Sequence, residues 1–284
     1  MSTWVWVDGE VLPADVARVS ALDRGLLSGE GVYETCKVSE GSPFALTRHL
    51  ARLRASAAVV GMELPWGDSH VRAACAKAVG AALVDAAAED EPVGRLRITV
   101  TAGAGALGPI RGPAEPTLLV AAGPSHRWAP TAVVATVPWQ RNEHSPAVGA
   151  KATSSLDNVL ALRSARERGA DEAVLANTAG FLAEGTSSNV FVVVDGVLCT
   201  PSLSTGCLAG VTRALICEQV PVVERDDLTL DDLRRSPEAF LTSSTRDVHP
   251  IGRLDGRSLP AAPGPITKAA AAAFADLQAE TIDP

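Results

Sequence analysis

The sequence predicts an α+β or mixed α/β fold in two domains, and three observations support that prediction. The chain has 284 residues, more than one small domain needs. Apolar and polar residues alternate on both sides of Asp8-Gly9, Glu40-Gly41 and Asp195-Gly196, as they do in β-hairpins. Helical patterns are scattered among these strands instead of following each strand in turn, which disfavours a regular βαβ array.

The sequence of the first half of the chain predicts two hairpins, two helices and two further strands. The hairpins are "WVWVDGEVL" and "GVYETCKVSEGSPFAL". Thr47 is the expected N-cap of the helix "RHLARLRASAAVVG", and Gly61 ends that helix. A second helix covers "DSHVRAACAKAVGAALVDAAAE". The strands "GRLRITVTAG" and "TLLVAAG" flank a loop rich in glycine and proline, "GAGALGPIRGPAEP".

A linker is expected at "GPSHRWAP". It divides the chain into an N-terminal α/β domain over residues 1–122, a linker over 123–130, and a C-terminal α/β domain over 131–284 that carries Lys151. The sequence pattern of the C-terminal domain predicts a strand, a helix, a hairpin, a two-strand unit, a helix, a strand with a loop, and a final helix. In that order the segments are "TAVVATVPW", "SSLDNVLALRSARERG", "EAVLANTAGFLAEG", "SNVFVVVDGVLCTPSL", "GCLAGVTRALICEQV", "PEAFLTSSTRDVHPI" and "ITKAAAAAFADLQAE".

Composition excludes several classes of function. The formal net charge is -8 and no basic run is present, so nucleic acids and anionic membranes are not expected partners. No apolar stretch is long enough to span a bilayer. The chain opens without a signal peptide and its five cysteines form no CxxC pair, which predicts reduced thiols and a cytoplasmic protein. The histidines show no metal-ligand spacing, so no metal is expected.

Lys151 lies in an uncharged stretch of small residues, "VGAKATSS", and is one of four lysines among 25 basic residues. A helix is predicted to follow it, with Ser154 or Ser155 as its cap. The ordinary interpretation is a solvated surface lysine. The lack of a charged neighbour favours instead an amine nucleophile that forms a Schiff base with a carbonyl.

Glu184 lies between two apolar strands in "FLAEGTSSNVFVVV". It is either a turn carboxylate or a carboxylate at the edge of a core, where an unpaired negative charge is costly. At the edge of a core it needs a positive partner. A protonated pyridine nitrogen meets that need, and so does an arginine.

Two segments can bind a phosphate. "GCLAGVTRALI" places a glycine-bearing loop before a helix start at Val211 and Thr212, where free backbone N–H groups attract anions. "LTSSTRD" adds hydroxyl groups after a strand, although a simple capping loop explains it equally well. With Lys151 and Glu184, these segments supply what a phosphorylated aldehyde cofactor requires, namely an amine, an anion beside a pyridinium and a phosphate cup.

Over nearly its whole length the sequence resembles the fold-type IV pyridoxal-phosphate enzymes, the class IV aminotransferase family. The motifs that carry the resemblance are "DRGLLSGEGVYETCKV", "FALTRHLARLRASA", "KATSSLDNVLALRSARERGADEAVLANTAGFLAEGTSSNVFVVVDGVLCTPSLSTGCLAGVTR" and "FLTSSTRDVHPIGRLDGR". The resemblance implies a two-domain architecture like that of D-amino-acid aminotransferases, a pyridoxal 5'-phosphate cofactor between the domains, a small substrate with a primary amine, and a homodimer.

The resemblance also assigns roles residue by residue. Lys151 matches the lysine that holds the cofactor covalently and acts in catalysis, and Glu184 matches the carboxylate beside the pyridine nitrogen. The remaining matches are Arg52 on the phosphate, Val211 and Thr212 at the helix start that caps it, the Ser244 hydroxyl on the same group, and Tyr33 on the substrate side.

Within the family, the sequence looks most like 4-amino-4-deoxychorismate lyases of actinobacterial type. This predicts conversion of 4-amino-4-deoxychorismate to 4-aminobenzoate and pyruvate, a step of folate synthesis. D-amino-acid aminotransferases carry an Arg-x-His pair where this chain reads "TAGAGALG", and branched-chain enzymes carry another run where it reads "ATSSLDN". The alternatives are an aminotransferase that uses the same lysine, and a binding protein without activity.

Overall fold

Each of the two units in this chain is built on its own β-sheet. Unit 1 comprises residues 1–126, 150–154 and 281–284, and unit 2 comprises residues 127–149 and 155–280. The computed structural model describes residues 3–89, 93–108, 110–112 and 114–284. Within that part of the chain, no helix is both long enough and apolar enough to cross a membrane.

Unit 1 contains an antiparallel sheet and helices that pack on it. Both turn pairs of its hairpins, Asp8-Gly9 and Glu40-Gly41, have the positive φ angles that such two-residue turns require. The strand order is β2-β1-β6-β5-β3-β4. The elements are β1 (Trp4–Val7), β2 (Glu10–Pro13), α1 (Arg24–Leu27), β3 (Gly31–Ser39), β4 (Ser42–Pro43), α2 (Leu46–Val59), α3 (Asp68–Glu89), β5 (Val93–Thr101) and β6 (Thr117–Pro124).

One face of this sheet and the apolar faces of α2 and α3 form the core of unit 1. Val32, Cys36, Leu96 and Ile98 point into it from alternate positions of β3 and β5 and are fully buried. Leu50 and Leu53 of α2 are also buried there. Burial of each leucine side chain contributes about 2 kcal/mol of transfer free energy. The predicted strands and helices of this half are therefore present.

Unit 2 contains a mixed sheet in the order β12-β11-β10-β13-β14-β7-β8-β9, with β15 paired to β14. The pairs β7-β8, β7-β14 and β11-β12 are parallel. The stacked rings of Phe191 and Phe240, with centroids 4.7 Å apart, lie in its core. The elements are β7 (Ala132–Arg141), α4 (Leu156–Glu167), β8 (Glu172–Asn177), β9 (Leu182–Gly185), β10 (Asn189–Val194), β11 (Val197–Pro201), a 3-10 turn (Leu203–Thr205), α5 (Val211–Gln219), β12 (Val223–Arg225), α6 (Leu230–Arg235), β13 (Ala239–Ser243), β14 (Asp247–Leu254), β15 (Arg257–Ser258) and α7 (Pro265–Glu280).

The division of the chain differs from the domain boundaries expected from the sequence. Residues 150–154, with Lys151, belong to unit 1 and not to the C-terminal unit. The reason is backbone pairing, because Tyr33 donates its N–H to the Lys151 carbonyl at 2.9 Å and Thr153 donates its N–H to Gly31 at 2.8 Å. Residues 281–284 also join unit 1, since the Ile282 carbonyl accepts the N–H of Ala45 at 2.8 Å.

The prediction that Thr47 caps α2 is wrong. The helix starts at Leu46, and the N-cap position is held by Ala45 in a left-handed conformation without a side-chain capping bond. Asp283 supplies the capping hydrogen bonds that Ala45 cannot make. Its carboxylate accepts the Thr47 N–H at 2.8 Å and the Thr47 hydroxyl at 2.6 Å. The cap is therefore supplied by a residue that is remote in sequence. Elsewhere Ser155 holds the N-cap position of α4, also without a side-chain capping bond.

Candidate active site

The main chain of Lys151 is fixed on both sides in unit 1. Its carbonyl accepts the N–H of Tyr33, and its own N–H donates to the Ser56 hydroxyl at 3.0 Å. Ser56 is fully buried and lies one helical turn after Arg52 on α2. The start of β3 and one face of α2 thus hold Lys151 in place, so the position of this lysine is set by the core of unit 1.

The side chain of Lys151 lies over an aromatic ring. Its Nζ is 4.6 Å from the centroid of the Tyr33 ring. The Arg97 guanidinium carbon is 3.8 Å from the same centroid. Within the described residues, no carboxylate forms a salt bridge with Lys151 or with Arg97. The structure therefore brings Tyr33 and Lys151 together as cation and ring, and adds Arg97.

Sequence reasoning missed Arg97, because the signal for it is the register of β3 and β5, which the structure supplies. Thr35 faces Arg97 across the β3-β5 pair and Tyr33 faces Thr99, which places Tyr33 and Arg97 on the same side of the sheet. Burial lowers the pKa of Arg97, and the phenolic group of Tyr33 counters part of that effect. Arg97 is half-buried and has no carboxylate partner among the described residues, so it is suited to binding an anionic group of a ligand.

Arg52 does not lie on the surface, the usual place for an arginine on a helix. Its side chain is 11% exposed, and it donates Nε to Glu34 Oε1 at 2.8 Å and Nη2 to Glu34 Oε2 at 2.6 Å. Sequence reasoning missed Glu34 as well. The alternation along β3 would have identified it, because Val32, Glu34 and Cys36 share the buried phase of that strand.

Glu184 in unit 2 is buried, with 8% of its surface exposed. Its Oε2 accepts the N–H of Leu208 at 2.9 Å, and its Oε1 lies 3.1 Å from Arg141 Nε. Of the two kinds of positive partner that the sequence allowed, the structure provides the arginine. Arg141 is itself held at the end of β7 by a 2.8 Å hydrogen bond from Nη2 to the side chain of Asn158.

The start of α5 lies close to Glu184, because Leu208 precedes the N-cap residue Gly210 by two positions. The first hydrogen bond of the helix joins the Ala214 N–H to the Gly210 carbonyl, so the N–H groups of Val211 and Thr212 have no acceptor within the helix. Both residues are buried. A Cβ at Gly210 would lie 1.9 Å from Asn189 Oδ1, so only glycine fits there.

Ser244 follows β13 and is half-buried in the turn before β14. It lies two residues beyond Thr242, which pairs with Asn189 across β10 and β13. Asn189 in turn supports Gly210, since its amide donates to the Leu208 carbonyl at 2.8 Å. The strand pairing thus links Ser244 with the start of α5.

A buried ion pair that was not expected from the sequence supports two segments of unit 2. Glu172 is fully buried and accepts Arg246 Nη2 at 2.7 Å. It also accepts the hydroxyls of Thr186, Ser187 and Ser188, which directly follow the strand that carries Glu184. The guanidinium carbon of Arg246 lies 3.6 Å from the centroid of the Trp128 ring.

Each unit, taken by itself, holds groups that suit part of a phosphorylated pyridine aldehyde. In the described part of unit 1, Lys151 has no carboxylate partner and is suited to imine formation, and Arg52 is aligned by Glu34. In unit 2, Glu184 is a buried carboxylate of the kind that pairs with a ring nitrogen. The N–H groups of Val211 and Thr212 in unit 2 have no acceptor within the helix and suit a phosphate. In the described part of the chain, no group of three His, Cys, Asp or Glu residues is placed to hold a metal ion.

Residues 31–254 match the family description "Amino-transferase class IV". The chain belongs to this family. It is 32% identical over 271 residues to a putative branched-chain-amino-acid aminotransferase of Methanocaldococcus jannaschii, over 89% of this chain and 88% of that protein. It is 31% identical over 284 residues to a D-alanine aminotransferase of Bacillus licheniformis, over 93% of each chain.

A solved structure shows the same fold. A hypothetical aminotransferase from Mycobacterium tuberculosis, in its pyridoxal-phosphate-bound form, superposes with a TM-score of 0.81 and 25% identity, over 96% of this chain and 97% of that one. The predicted fold class is confirmed, and so is pyridoxal 5'-phosphate as the cofactor of the family. The names of these relatives are those of aminotransferases. The narrower assignment to 4-amino-4-deoxychorismate lyases is not confirmed and stays a prediction.

Proposed function

We propose that the chain is a pyridoxal-phosphate-dependent aminotransferase that moves an amino group between a carboxylate-bearing amino acid and a 2-oxo acid. The observation that carries this proposal is the pair of cations at one ring, with Lys151 Nζ at 4.6 Å and the Arg97 guanidinium carbon at 3.8 Å from the centroid of Tyr33. Lys151 is an amine whose neutral form can form an imine. The other is a guanidinium that can hold a carboxylate.

In this proposal Lys151 has two tasks. Its Nζ is the amine that would hold the aldehyde group of the cofactor, with loss of water. When the substrate amine occupies that position, the free Nζ would take the proton from the substrate carbon that bears the amine, as a general base. The bound cofactor supplies an electron sink for the charge left on that carbon. Arg97 binds the substrate carboxylate, and Tyr33 forms the wall beside both cations.

The other predicted residues hold the cofactor. Glu184 keeps the ring nitrogen protonated, a role that suits a buried carboxylate whose Oε2 already accepts a backbone N–H. Arg52, the Ser244 hydroxyl and the N–H groups of Val211 and Thr212 bind the phosphate. Each of these groups is a hydrogen-bond donor, and the N–H groups also lie at the positive end of a helix dipole.

The proposal extends to assembly and location. On α4, Leu156 is 67% exposed, Val159 57% and Leu160 37%, which forms an apolar stripe at helical spacing. A second copy of the chain would cover this stripe in a homodimer, so Leu156→Glu is expected to yield monomers in light scattering after size exclusion. All five cysteines are free thiols, which suits the reducing environment of the cytoplasm.

The test is a half-reaction. The purified protein, loaded with cofactor, is mixed with single amino acids and no oxo acid, and the absorption of the cofactor is followed with the oxo acid released. An aminotransferase converts each bound cofactor once to its amine form, releases one equivalent of oxo acid and then stops. Lys151→Ala is expected to abolish the conversion, whereas Lys77→Ala on the exposed face of α3 should leave it intact. No conversion with any amino acid would contradict the proposal.

The lyase is the second candidate, and one observation favours it. The segment Thr101 to Gly108 lacks the Arg-x-His pair of the D-amino-acid enzymes, which weakens that particular aminotransferase assignment. Incubation with 4-amino-4-deoxychorismate separates the two reactions. A lyase releases many equivalents of pyruvate and 4-aminobenzoate per subunit while the cofactor band persists. An aminotransferase forms no such products in multiple turnovers.

A further inference from the structure

Glu34 is a buried carboxylate in the middle of the core of unit 1. It lies on β3 between Val32 and Cys36, and all three residues have no exposed surface. A carboxylate in such a place is strongly destabilising unless its charge is paired and its oxygens accept hydrogen bonds. Glu34 therefore requires charged and hydrogen-bonding partners. Because Glu34 follows Tyr33 in the sequence, those partners lie close to the proposed active site.

The partners of Glu34 come from one face of α2. Arg52 contributes a two-pronged contact, with Nε 2.8 Å from Oε1 and Nη2 2.6 Å from Oε2. His49 Nδ1 lies 2.6 Å from Oε2. His49, Arg52 and Ser56 follow one another at spacings of three and four residues, so they share one face of the helix. The same face thus binds Glu34 and, through Ser56, the main chain of Lys151.

Burial and pairing have opposing effects on the pKa values in this cluster. Burial raises the pKa of Glu34, but the charge of Arg52 and the hydrogen bonds from Arg52 and His49 outweigh burial and lower that pKa to about 2. Burial also lowers the pKa of His49, which opposes a positive charge on its ring. A neutral His49 donates Nδ1–H to the carboxylate. The cluster then holds one negative and one positive charge.

We propose that Glu34 is a positioning residue for Arg52 and, through it, for the phosphate of the cofactor. The guanidinium is planar, and its N–H groups have fixed directions. A contact through both Nε and Nη2 therefore fixes the plane and the rotation of the whole group, including the direction of Nη1. Without Glu34, Arg52 would sample several rotamers and lose the alignment that phosphate binding requires. This inference rests on the role proposed above for Arg52.

The experiment compares two ligands of the apoprotein, pyridoxal 5'-phosphate and pyridoxal, which lacks the phosphate. Dissociation constants are measured from the quenching of tryptophan fluorescence. Glu34→Gln is expected to weaken binding of the phosphorylated ligand about tenfold, the scale at which the partners of a ligating side chain act, and to leave the affinity for pyridoxal nearly unchanged. A residue that merely stabilised the fold would shift both constants together.

Two further variants complete the design. Arg52→Ala should reduce the preference for the phosphorylated ligand, and Glu34→Gln/Arg52→Ala should be no weaker than Arg52→Ala, because Glu34 acts only through Arg52. Glu30→Gln is the matched control, since Glu30 is a carboxylate of the same unit that is paired with two other arginines, Arg24 and Arg111. It should leave both constants unchanged.

Each outcome has one meaning. If Arg52→Ala keeps the preference for the phosphorylated ligand, the proposed role of Arg52 is wrong. If Arg52→Ala reduces the preference and Glu34→Gln keeps it in full, only the inference about Glu34 is overturned. Equal loss for both ligands in a folded Glu34→Gln variant overturns it too. If Glu34→Gln does not fold, Glu34→Asp, which keeps the charge and withdraws the carboxylate by one methylene, is expected to show a smaller loss specific to the phosphate.

Discussion

The buried pair Glu172 and Arg246 gives a prediction whose magnitude follows from the structure. The exposed fraction of the Glu172 side chain is 0% and that of Arg246 is 2%. Removing one partner of a buried pair leaves an uncompensated charge and costs about 3–5 kcal/mol. Glu172→Ala also removes the acceptor of three hydroxyls, while the stacking of Arg246 on Trp128 persists and offsets part of the loss. We expect the free energy of unfolding to fall by about 4 kcal/mol.

The assay is urea denaturation followed by far-UV circular dichroism and tryptophan fluorescence. Trp128 lies against Arg246, so its emission responds to the loss of this contact, and the other four tryptophans report on both units. Glu172→Gln, which keeps an acceptor oxygen, should lose about half as much as Glu172→Ala. The control is Glu167→Ala, because the pair of Glu167 with Arg163 is about 70% exposed and should add nothing measurable. A loss below about 1 kcal/mol in Glu172→Ala would refute the reasoning.

Three other predictions follow from unit 1. Asp283→Ala should lower the free energy of unfolding by about 1–2 kcal/mol, because it removes the cap of α2, and Asp283→Asn should lower it less. Thermal denaturation measures the effect, and equal midpoints for Asp283→Ala and the parent would show that the cap does not stabilise the protein. The pKa of Glu34 drops from the reference 4.5 to about 2 on folding, so its contribution to stability is complete above about pH 4.5 and is lost as the pH falls toward 2. In an acid titration, the free energy of unfolding of Glu34→Gln should therefore decline less steeply over that window than that of the parent, and identical curves would contradict the pairing. Arg97→Gln should raise KM for carboxylate-bearing amino donors about tenfold or more, while KM for an amine without a carboxylate changes little. Steady-state kinetics with both donor classes measure the two shifts, and equal shifts would show that Arg97 does not bind the substrate carboxylate.

Local signals predicted most of the fold. The turns at Asp8-Gly9 and Asp195-Gly196 were found because the turn chemistry lies within two residues. The helix Asp68–Glu89 was found with its observed ends. The short elements α6 and β12 were missed, since three to six residues carry too little periodicity to be recognised.

Long-range contacts could not be predicted in the same way. The cap of α2 comes from Asp283, and no local pattern around Thr47 indicates a partner that distant. The placement of Lys151 in unit 1 depends on backbone pairing with β3, which sequence spacing does not encode. Lys151 and Glu184 were singled out because both are unusual for their surroundings. Glu34 and Arg97 needed the pairing of β3 with β5 and the packing of α2 before their partners could be identified.

The central claim is that Lys151 holds the cofactor covalently, and one measurement tests it most directly. The protein loaded with pyridoxal 5'-phosphate is reduced with borohydride, which converts an imine to a stable amine, then digested, and the modified peptide is identified by mass spectrometry. The chain has four lysines, so the result is unambiguous. We expect the label on Lys151 alone, and no label in Lys151→Ala. Label on Lys37, Lys77 or Lys268 in place of Lys151, or no label in the parent protein, would contradict the account.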